Sequence, residues 1–581
     1  MAHLTIRGTG VSEGIRLGKV FLYKPFYHQD IPVRASISEE EVLHELERLK
    51  LAKEKAYQEL HELIERARIE LGKDKAAILI AQQAFLNDPA FCPEMEKVIR
   101  QQKYAAENAV TEVVERFAAL FEGMNDEYLR ERAADVRDIG KRLVFCLQGK
   151  KGLQLAEIKE EVILAADDLA PSDTVQLNKK YIMGFVTRVG GKTSHTAILS
   201  RSLGIPAIVG FGEALEQIHD GDFLIIDGST GECFVNPDPQ LIKQYQEKRE
   251  IEEQALRQLE AFTFKPAITT DGFRVEMAAN IGTPAEAKPA LEQGAEGIGL
   301  YRTEFLFMNE TKMPSEEKQF EAYKQVVATM ADRPVIIRTL DIGGDKVLPY
   351  LSLPKEMNPF LGYRAIRLSL DQQELLVTQL RAILRAGAYG KVKIMFPMIA
   401  SMEEWRQAKA ILAEVRDRLT NEGVEFDPSI EVGIMVEVPS TAILADQFAK
   451  EVDFFSIGTN DLVQYTLAVD RMNEKVGYLY DHLHPAIIRL TKTVIEASHR
   501  EGKWTGMCGG MAGDPLVAPL LIGMGLDEWS MVAGSIKKVK QVVSRVNRPE
   551  CQKLLGEVLE LSTTEDVRKK LEDFRKEKNL A

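Results

Sequence analysis

The sequence has no apolar run long enough to span a bilayer. Its first residues, Met1-Ala2-His3-Leu4-Thr5, lack the apolar core of a secretory signal. Cysteine is scarce. The five thiols, Cys92, Cys146, Cys233, Cys508 and Cys551, are widely spaced and odd in number. Such a set implies no disulfide framework, and a reducing cytoplasm is the expected compartment. Positive charge is also in deficit, with a formal net charge of −14. That balance argues against nucleic-acid binding and suits a basic protein partner.

At 581 residues the chain is too long for one core, so two to four domains are expected. Forty-five per cent hydrophobic and 28% charged residues is ordinary globular composition. The first 25 residues or so are glycine-dotted and β-like. At Ser38 the character changes, because Ser38 and Glu41 form a capping-box signature. Val42, Leu46, Leu49, Ala56, Leu60 and Leu63 follow at helical spacing. Further helical patterns cover Asp74 to Leu86, Ala106 to Phe121 and Ala133 to Leu147. Together they predict a helical subdomain over residues 31–147, inserted into an α/β domain made of residues 1–30 and 148–237. Strand-like segments mark that domain, at 161–165, 182–187, 207–209, 223–226 and 233–235. Residues 238–262 are charged and glycine-free, and read as a semi-rigid helical linker.

Within the α/β domain stands Gly190-Gly191-Lys192-Thr193-Ser194-His195-Thr196. Two glycines free the backbone, small hydroxyl residues follow, and Ala197-Ile198-Leu199 continues with helical character. The pattern reads as a glycine turn into a helix whose first turn displays His195. Unpaired N–H groups at a helix N-terminus attract anions. The positive end of the helix dipole also disfavours imidazolium. A neutral histidine beside an anion site is the chemistry needed to accept a phosphoryl group.

The remainder, 263–581, repeats one theme. Apolar segments at 275–280, 297–302, 335–340, 392–398, 430–437, 453–458, 503–509 and 528–533 alternate with helical stretches. Eight strands in this rhythm predict a (β/α)₈ TIM barrel, with a doubly wound open sheet as the alternative. Barrel chemistry sits at the C-terminal strand ends. Arg302 ends the second predicted strand and Arg338 closes the third. Glu437 ends the fifth, Asn460 and Asp461 follow the sixth with Arg471 beyond, and Cys508 ends the seventh. Three arginines imply an anion carrying phosphate and carboxylate groups. Glu437 and Asp461 supply hard oxygens suited to Mg²⁺ shared with a phosphorylated substrate. Cys508, among these charges, is a candidate for proton transfer. His482 and His484 form an H-x-H without a third ligand and read as part of a loop at the barrel rim. Gly8-x-Gly10-x-x-x-Gly14 does not match the dinucleotide fingerprint.

These motifs carry a resemblance over essentially the whole length. The chain resembles enzyme I of the bacterial phosphoenolpyruvate:sugar phosphotransferase system, the phosphoenolpyruvate–protein phosphotransferases. The similarity rests on Gly190 to Ile198, Gly297 to Phe305, Asp341 to Lys346, Asn358 to Arg364, Phe455 to Asp461 and Trp504 to Gly509. The resemblance implies that phosphoenolpyruvate phosphorylates His195, which passes the group to a histidine of the phosphocarrier protein HPr. It implies substrate binding by Arg302, Arg338, Lys346, Arg364, Asn460, Asp461 and Arg471. It further implies Mg²⁺ on Glu437 and Asp461, protonation by Cys508, an HPr-docking helical insert and a homodimer formed through the barrel. His195 and the strand-end cluster fall in different predicted domains, so the histidine domain must swing, with the helical linker as candidate pivot. Two positions depart from the family pattern: Lys192 stands where arginine is common, and Gly510 where a glutamate is expected. Pyruvate phosphate dikinases and phosphoenolpyruvate synthases share the histidine and barrel domains. They carry a large ATP-binding domain for which the first 150 residues offer neither a phosphate-binding loop nor the length. A non-catalytic phosphoenolpyruvate sensor is the alternative outside enzymes, and the set of His195, Glu437, Asp461 and Cys508 argues against it.

Overall fold

The computed structural model describes residues 4–23, 37–70, 73–88, 91–123, 127–149, 155, 158–169, 177, 180–191, 194–308, 310–344, 348, 350–351, 353–354, 356–471, 473 and 475–580. The chain divides into two compact units, Met1–Gln254 and Ala255–Ala581. Among the described residues no helix is long and apolar enough to cross a membrane. All five cysteines are free.

Among the described residues, the first unit holds a mixed eight-stranded sheet, a run of five helices inserted within it and further helices later in the chain. Strands β1 (Leu4–Arg7), β2 (Thr9–Ser12) and β3 (Ile15–Tyr23) precede the helices, and β4 (Val162–Ala166) to β8 (Glu232–Val235) follow them. The spatial order is β1-β8-β7-β3-β4-β5-β6-β2, with β5 at Ile182–Thr187, β6 at Ala207–Val209 and β7 at Phe223–Asp227. Strands β3, β4, β5 and β6 are mutually parallel, and β4 to β6 are almost wholly buried, hence their nearly unbroken apolar sequences. The early glycines serve this sheet. A side chain at Gly10 would overlap the carbonyl of Gly228, and one at Gly8 would meet Phe211. Close strand packing explains the pattern without a nucleotide.

Helices α1 (Val42–Glu70), α2 (Lys73–Leu86), α3 (Cys92–Gln102), α4 (Ala106–Glu122) and α5 (Glu127–Leu147) enclose their own apolar core. The Ser38 amide donates to Glu41 over 2.9 Å, so the anticipated capping box is formed. Sequence reading missed α3, because Pro93 looks like a breaker. Proline is tolerated in the first helical turn, and that is where it sits.

Helix α6 (His195–Leu203) follows the glycine turn, and α7 (Pro239–Glu260) occupies the predicted linker. In the second unit, strands β10 to β17 are parallel and closed, since β10 pairs with both β11 and β17. The (β/α)₈ barrel expected from the strand count is therefore present. Its strands are Arg274–Ile281, Gly297–Arg302, Val335–Arg338, Val392–Phe396, Val432–Val436, Phe454–Ile457, Trp504–Met507 and Glu528–Met531. Before them, β9 (Ala267–Ile268) pairs antiparallel with β10. Leu300, Ile336, Met395, Met435, Phe454 and Cys508 form one compact cluster of buried side chains.

Candidate active site

His195 is the first residue of α6. Gly190 before it has φ +122°, a conformation that glycine adopts without strain. Ser194 caps the helix, its Oγ accepting from the Ala197 amide over 3.3 Å. The turn-into-helix geometry at His195 is thus present in the backbone. Lys192 lies outside the described residues.

In the barrel, the charged residues predicted at strand ends gather at the C-terminal mouth. Arg338, the last residue of β12, is buried and pairs with Glu304 and with Asp341 Oδ2 at 3.1 Å. Arg364 is buried as well. Its Nη2 donates to Asp341 Oδ1 over 2.8 Å, its Nη1 donates to the Tyr465 hydroxyl over 3.0 Å, and Nη1 lies 3.7 Å from Asp461 Oδ1. Arg471 approaches the same carboxylate from the other side, Nη1 to Oδ2 at 3.8 Å. Arg302 ends β11 with its side chain exposed, its guanidinium 5.6 Å from the Phe305 ring centroid. Lys346 lies outside the described residues.

Glu437 follows β14 directly and is buried. Its Oε1 accepts from the Met398 amide over 2.6 Å, while Oε2 has no hydrogen-bond partner. Asp461 lies in the first turn of the helix Thr459–Leu467, which begins just beyond β15. Its Oδ1 is likewise buried without a hydrogen bond. Burial pushes the Glu437 carboxyl up to about 8, and the neighbouring Asp461 and Asp341 push in the same direction. Buried carboxylate oxygens with no donor are expensive unless a cation completes them. Two such oxygens on adjacent strand ends fit a divalent ion that takes its other ligands from substrate and water.

Cys508 follows β16 and is buried, its amide bonded to the Ile457 carbonyl at 3.1 Å. Burial pushes its thiol up to about 12. Its carbonyl accepts from Asn280 Nδ2 over 2.9 Å, and Ser530 Oγ donates to Asn280 Oδ1 over 2.6 Å. Asn460 Oδ1 accepts from the Gly510 amide over 3.0 Å, which ties the loop after Cys508 to the end of β15. Sequence reading missed Glu304, Asp341, Tyr465 and Asn280. Asp341 stood inside a motif but carried no sign of bridging two arginines, and nothing in the spacing marked Tyr465.

The two rim histidines are engaged elsewhere. His482 Nε2 lies 3.1 Å from Asp514 Oδ2, and His484 Nδ1 accepts from the Ala486 amide over 3.2 Å as a helix cap. Among the described residues no group of three histidine, cysteine or acidic side chains is placed to hold a metal alone.

Three family models match the chain: the PEP-binding domain of PEP-utilising enzymes over residues 256–548, their N-terminal domain over 7–132, and their mobile domain over 158–231. A phosphoenolpyruvate-protein phosphotransferase of Staphylococcus carnosus is 50% identical over 98% of this chain and 99% of that protein. The chain belongs to the phosphoenolpyruvate–protein phosphotransferase family. Further members from Geobacillus stearothermophilus and Staphylococcus aureus are 50% and 49% identical, each over 97% of this chain and 97% and 98% of the relative. The family, the barrel and the enzyme class expected from the sequence are those found.

Proposed function

We propose that His195 takes the phosphoryl group of phosphoenolpyruvate and hands it to a histidine of the carrier protein HPr, in the cytoplasm. The observation that carries this reading is the barrel mouth, where Arg338, Arg364 and Arg471 surround Glu437 and Asp461, each with a buried oxygen that accepts no hydrogen bond. That arrangement suits a ligand with both phosphate and carboxylate groups. Mg²⁺ held by Glu437 and Asp461 would neutralise the phosphoryl oxygens and act as a Lewis acid.

The residues of the chain do the rest. Arg302, Arg338, Arg364 and Arg471, with Lys346 and Asn460, hold phosphate and carboxylate so that phosphorus faces the incoming imidazole. A nitrogen of His195 attacks phosphorus, the bond to the bridging oxygen breaks, and enolpyruvate leaves. Cys508 then gives its thiol proton to the methylene carbon, forming the methyl group of pyruvate, and the thiolate later regains a proton from solvent. A thiol held near 12 keeps its proton at neutral pH until a strongly basic carbanion-like carbon forms. The imidazole attacks as the neutral base favoured at the start of α6. Helices α1 to α5 are the proposed docking module for HPr, and the barrel the proposed dimerisation domain.

Incubation with phosphoenolpyruvate labelled in phosphorus, with Mg²⁺, tests the reading. Acid-labile label is expected on the wild type, absent from His195→Ala, and chased onto HPr when that carrier is added. Label retained in His195→Ala would overturn it.

A further inference from the structure

The opposite, N-terminal mouth of the barrel holds a cavity of about 170 Å³. In barrels of this kind that face is ordinarily structural. Here it contains a carboxylate with no structural partner. Glu528 begins β17 and is 4% exposed, and neither Oε1 nor Oε2 has a hydrogen bond. Two motif glycines make room for it. A methyl group at Gly299 would overlap Glu528 Oε1, and one at Gly506 would overlap Oε2. Glu276 lines the same cavity from the neighbouring strand, in register with Glu528.

The other charges at this mouth are committed. Lys393 pairs with Glu431 and lies over the Trp504 ring, 4.1 Å from its centroid. Asp527 accepts from the Thr505 amide over 2.8 Å and lies 2.8 Å from His499 Nε2. Glu528 and Glu276 therefore face a cavity that Lys393, Trp504 and Asp527 also line, with an apolar side formed by Ile298, Pro334 and Ile336. Burial raises the carboxyl pKa of both Glu528 and Glu276, Glu276 adds to the rise at Glu528, and Lys393 opposes it at both without reversing it.

We propose that this mouth binds a short primary alkylammonium ion, its head group donating to Glu528 and Glu276 and its alkyl chain lying on Ile298 and Ile336. An ammonium group offers three N–H donors to carboxylates that have only acceptors to offer. A divalent metal fits less well, because it demands six or more oxygens and among the described residues no group of three acidic, histidine or cysteine side chains is placed to hold one. A quaternary ammonium ion, which has no N–H donors, leaves the Glu528 oxygens without hydrogen bonds.

Titration calorimetry of the full chain with n-butylammonium chloride at fixed ionic strength tests the site. Saturable one-to-one binding is expected, unaffected by saturating phosphoenolpyruvate, with sodium and tetramethylammonium as non-competing controls. Glu528→Gln should weaken binding at least tenfold. Glu276→Gln at the rim should weaken it several-fold, and it serves as the readout if Glu528→Gln does not fold. Absence of saturable binding to the wild type overturns the proposal. So does equal affinity in the folded variants, competition by phosphoenolpyruvate, or equal binding of tetramethylammonium.

Discussion

The Met398 amide donates to Oε1 of Glu437 over 2.6 Å, from a backbone whose φ is +57°. A methionine in the left-handed region costs of order 1 kcal/mol or more. The strained turn after β13 aims one N–H at a carboxylate on the next strand. That bond fixes one oxygen and leaves Oε2 buried without a hydrogen bond.

A pH-dependent trade between stability and function follows at Glu437. Its carboxyl titrates near 8 in the folded chain against an ordinary 4.5. An acid whose folded value is raised contributes stability that is complete below about pH 4.5 and lost as pH rises towards 8. Without metal, the barrel should melt at lower temperature at pH 8.5 than at pH 6. Glu437→Gln removes this contribution, so its melting temperature should fall less over the same interval. Glu276 and Glu528 titrate in both proteins and cancel in the comparison. Added Mg²⁺ should restore the wild type at pH 8.5 and leave the variant unchanged, while pyruvate formation by the variant falls about 100-fold or more. Calorimetric melts with and without chelator check this, and parallel pH profiles would refute it.

Cys508 should behave as a poor nucleophile and a retained acid. It is buried, with a thiol pushed up to about 12. Alkylating reagents at pH 8 should leave it unmodified while the partly exposed Cys146 reacts first. Cys508→Ala should slow pyruvate release by about 100-fold or more, the range of general acid catalysis. The wild-type rate should show no basic limb from this thiol below pH 10. Peptide mapping after alkylation and a pH–rate profile provide the measurements.

The barrel was legible because its signal is local. Each strand is a short buried run, and the closing turn after each places its last residue at one mouth. Arg302, Arg338, Glu437, Asp461 and Cys508 could therefore be assigned to that mouth from position alone. What could not be read is pairing at long sequence separation. Asp341 joins Arg338 to Arg364, and Tyr465 reaches back to the Phe360 carbonyl over 2.6 Å. Those contacts depend on loop paths that no periodicity encodes. The Glu528 cavity was hidden for the same reason, since Gly299 and Gly506 read as motif glycines before the side chain they accommodate is known.

Gly510 is the departure from the family pattern that the structure lets us weigh. A Cβ there would meet only Asn460 Oδ1, at 3.5 Å, an ordinary contact. The amide that donates to Asn460 survives the change. Gly510→Glu should fold with stability within about 0.5 kcal/mol of the parent, as surface substitutions usually do. If a carboxylate beside Cys508 assists its reprotonation, the variant should turn over faster than the parent. Equal steady-state rates at saturating phosphoenolpyruvate and HPr would sink that idea.

Arg364→Lys separates charge from geometry. The guanidinium reaches Asp341, Tyr465 and Asp461 at once because its donors form a fixed fork. A lysine keeps the charge but offers a single point, so it can reach at most one of the two carboxylates, while Asp341 keeps Arg338 at 3.1 Å and Asp461 keeps Arg471 at 3.8 Å. Because each carboxylate keeps one arginine, the cost should fall below the figure of about 3–5 kcal/mol for a buried charge left wholly unpaired. The variant should therefore melt earlier, with the loss centred on the barrel. The KM for phosphoenolpyruvate should rise at least tenfold, since Asp461 would no longer be held between two cations. Tyr465→Phe removes one bond to Arg364 while sparing both carboxylates, so it should shift KM only a few-fold. Steady-state kinetics on the two variants distinguish a positioning network from a simple charge requirement: equal KM for Arg364→Lys and the parent would show that charge alone suffices.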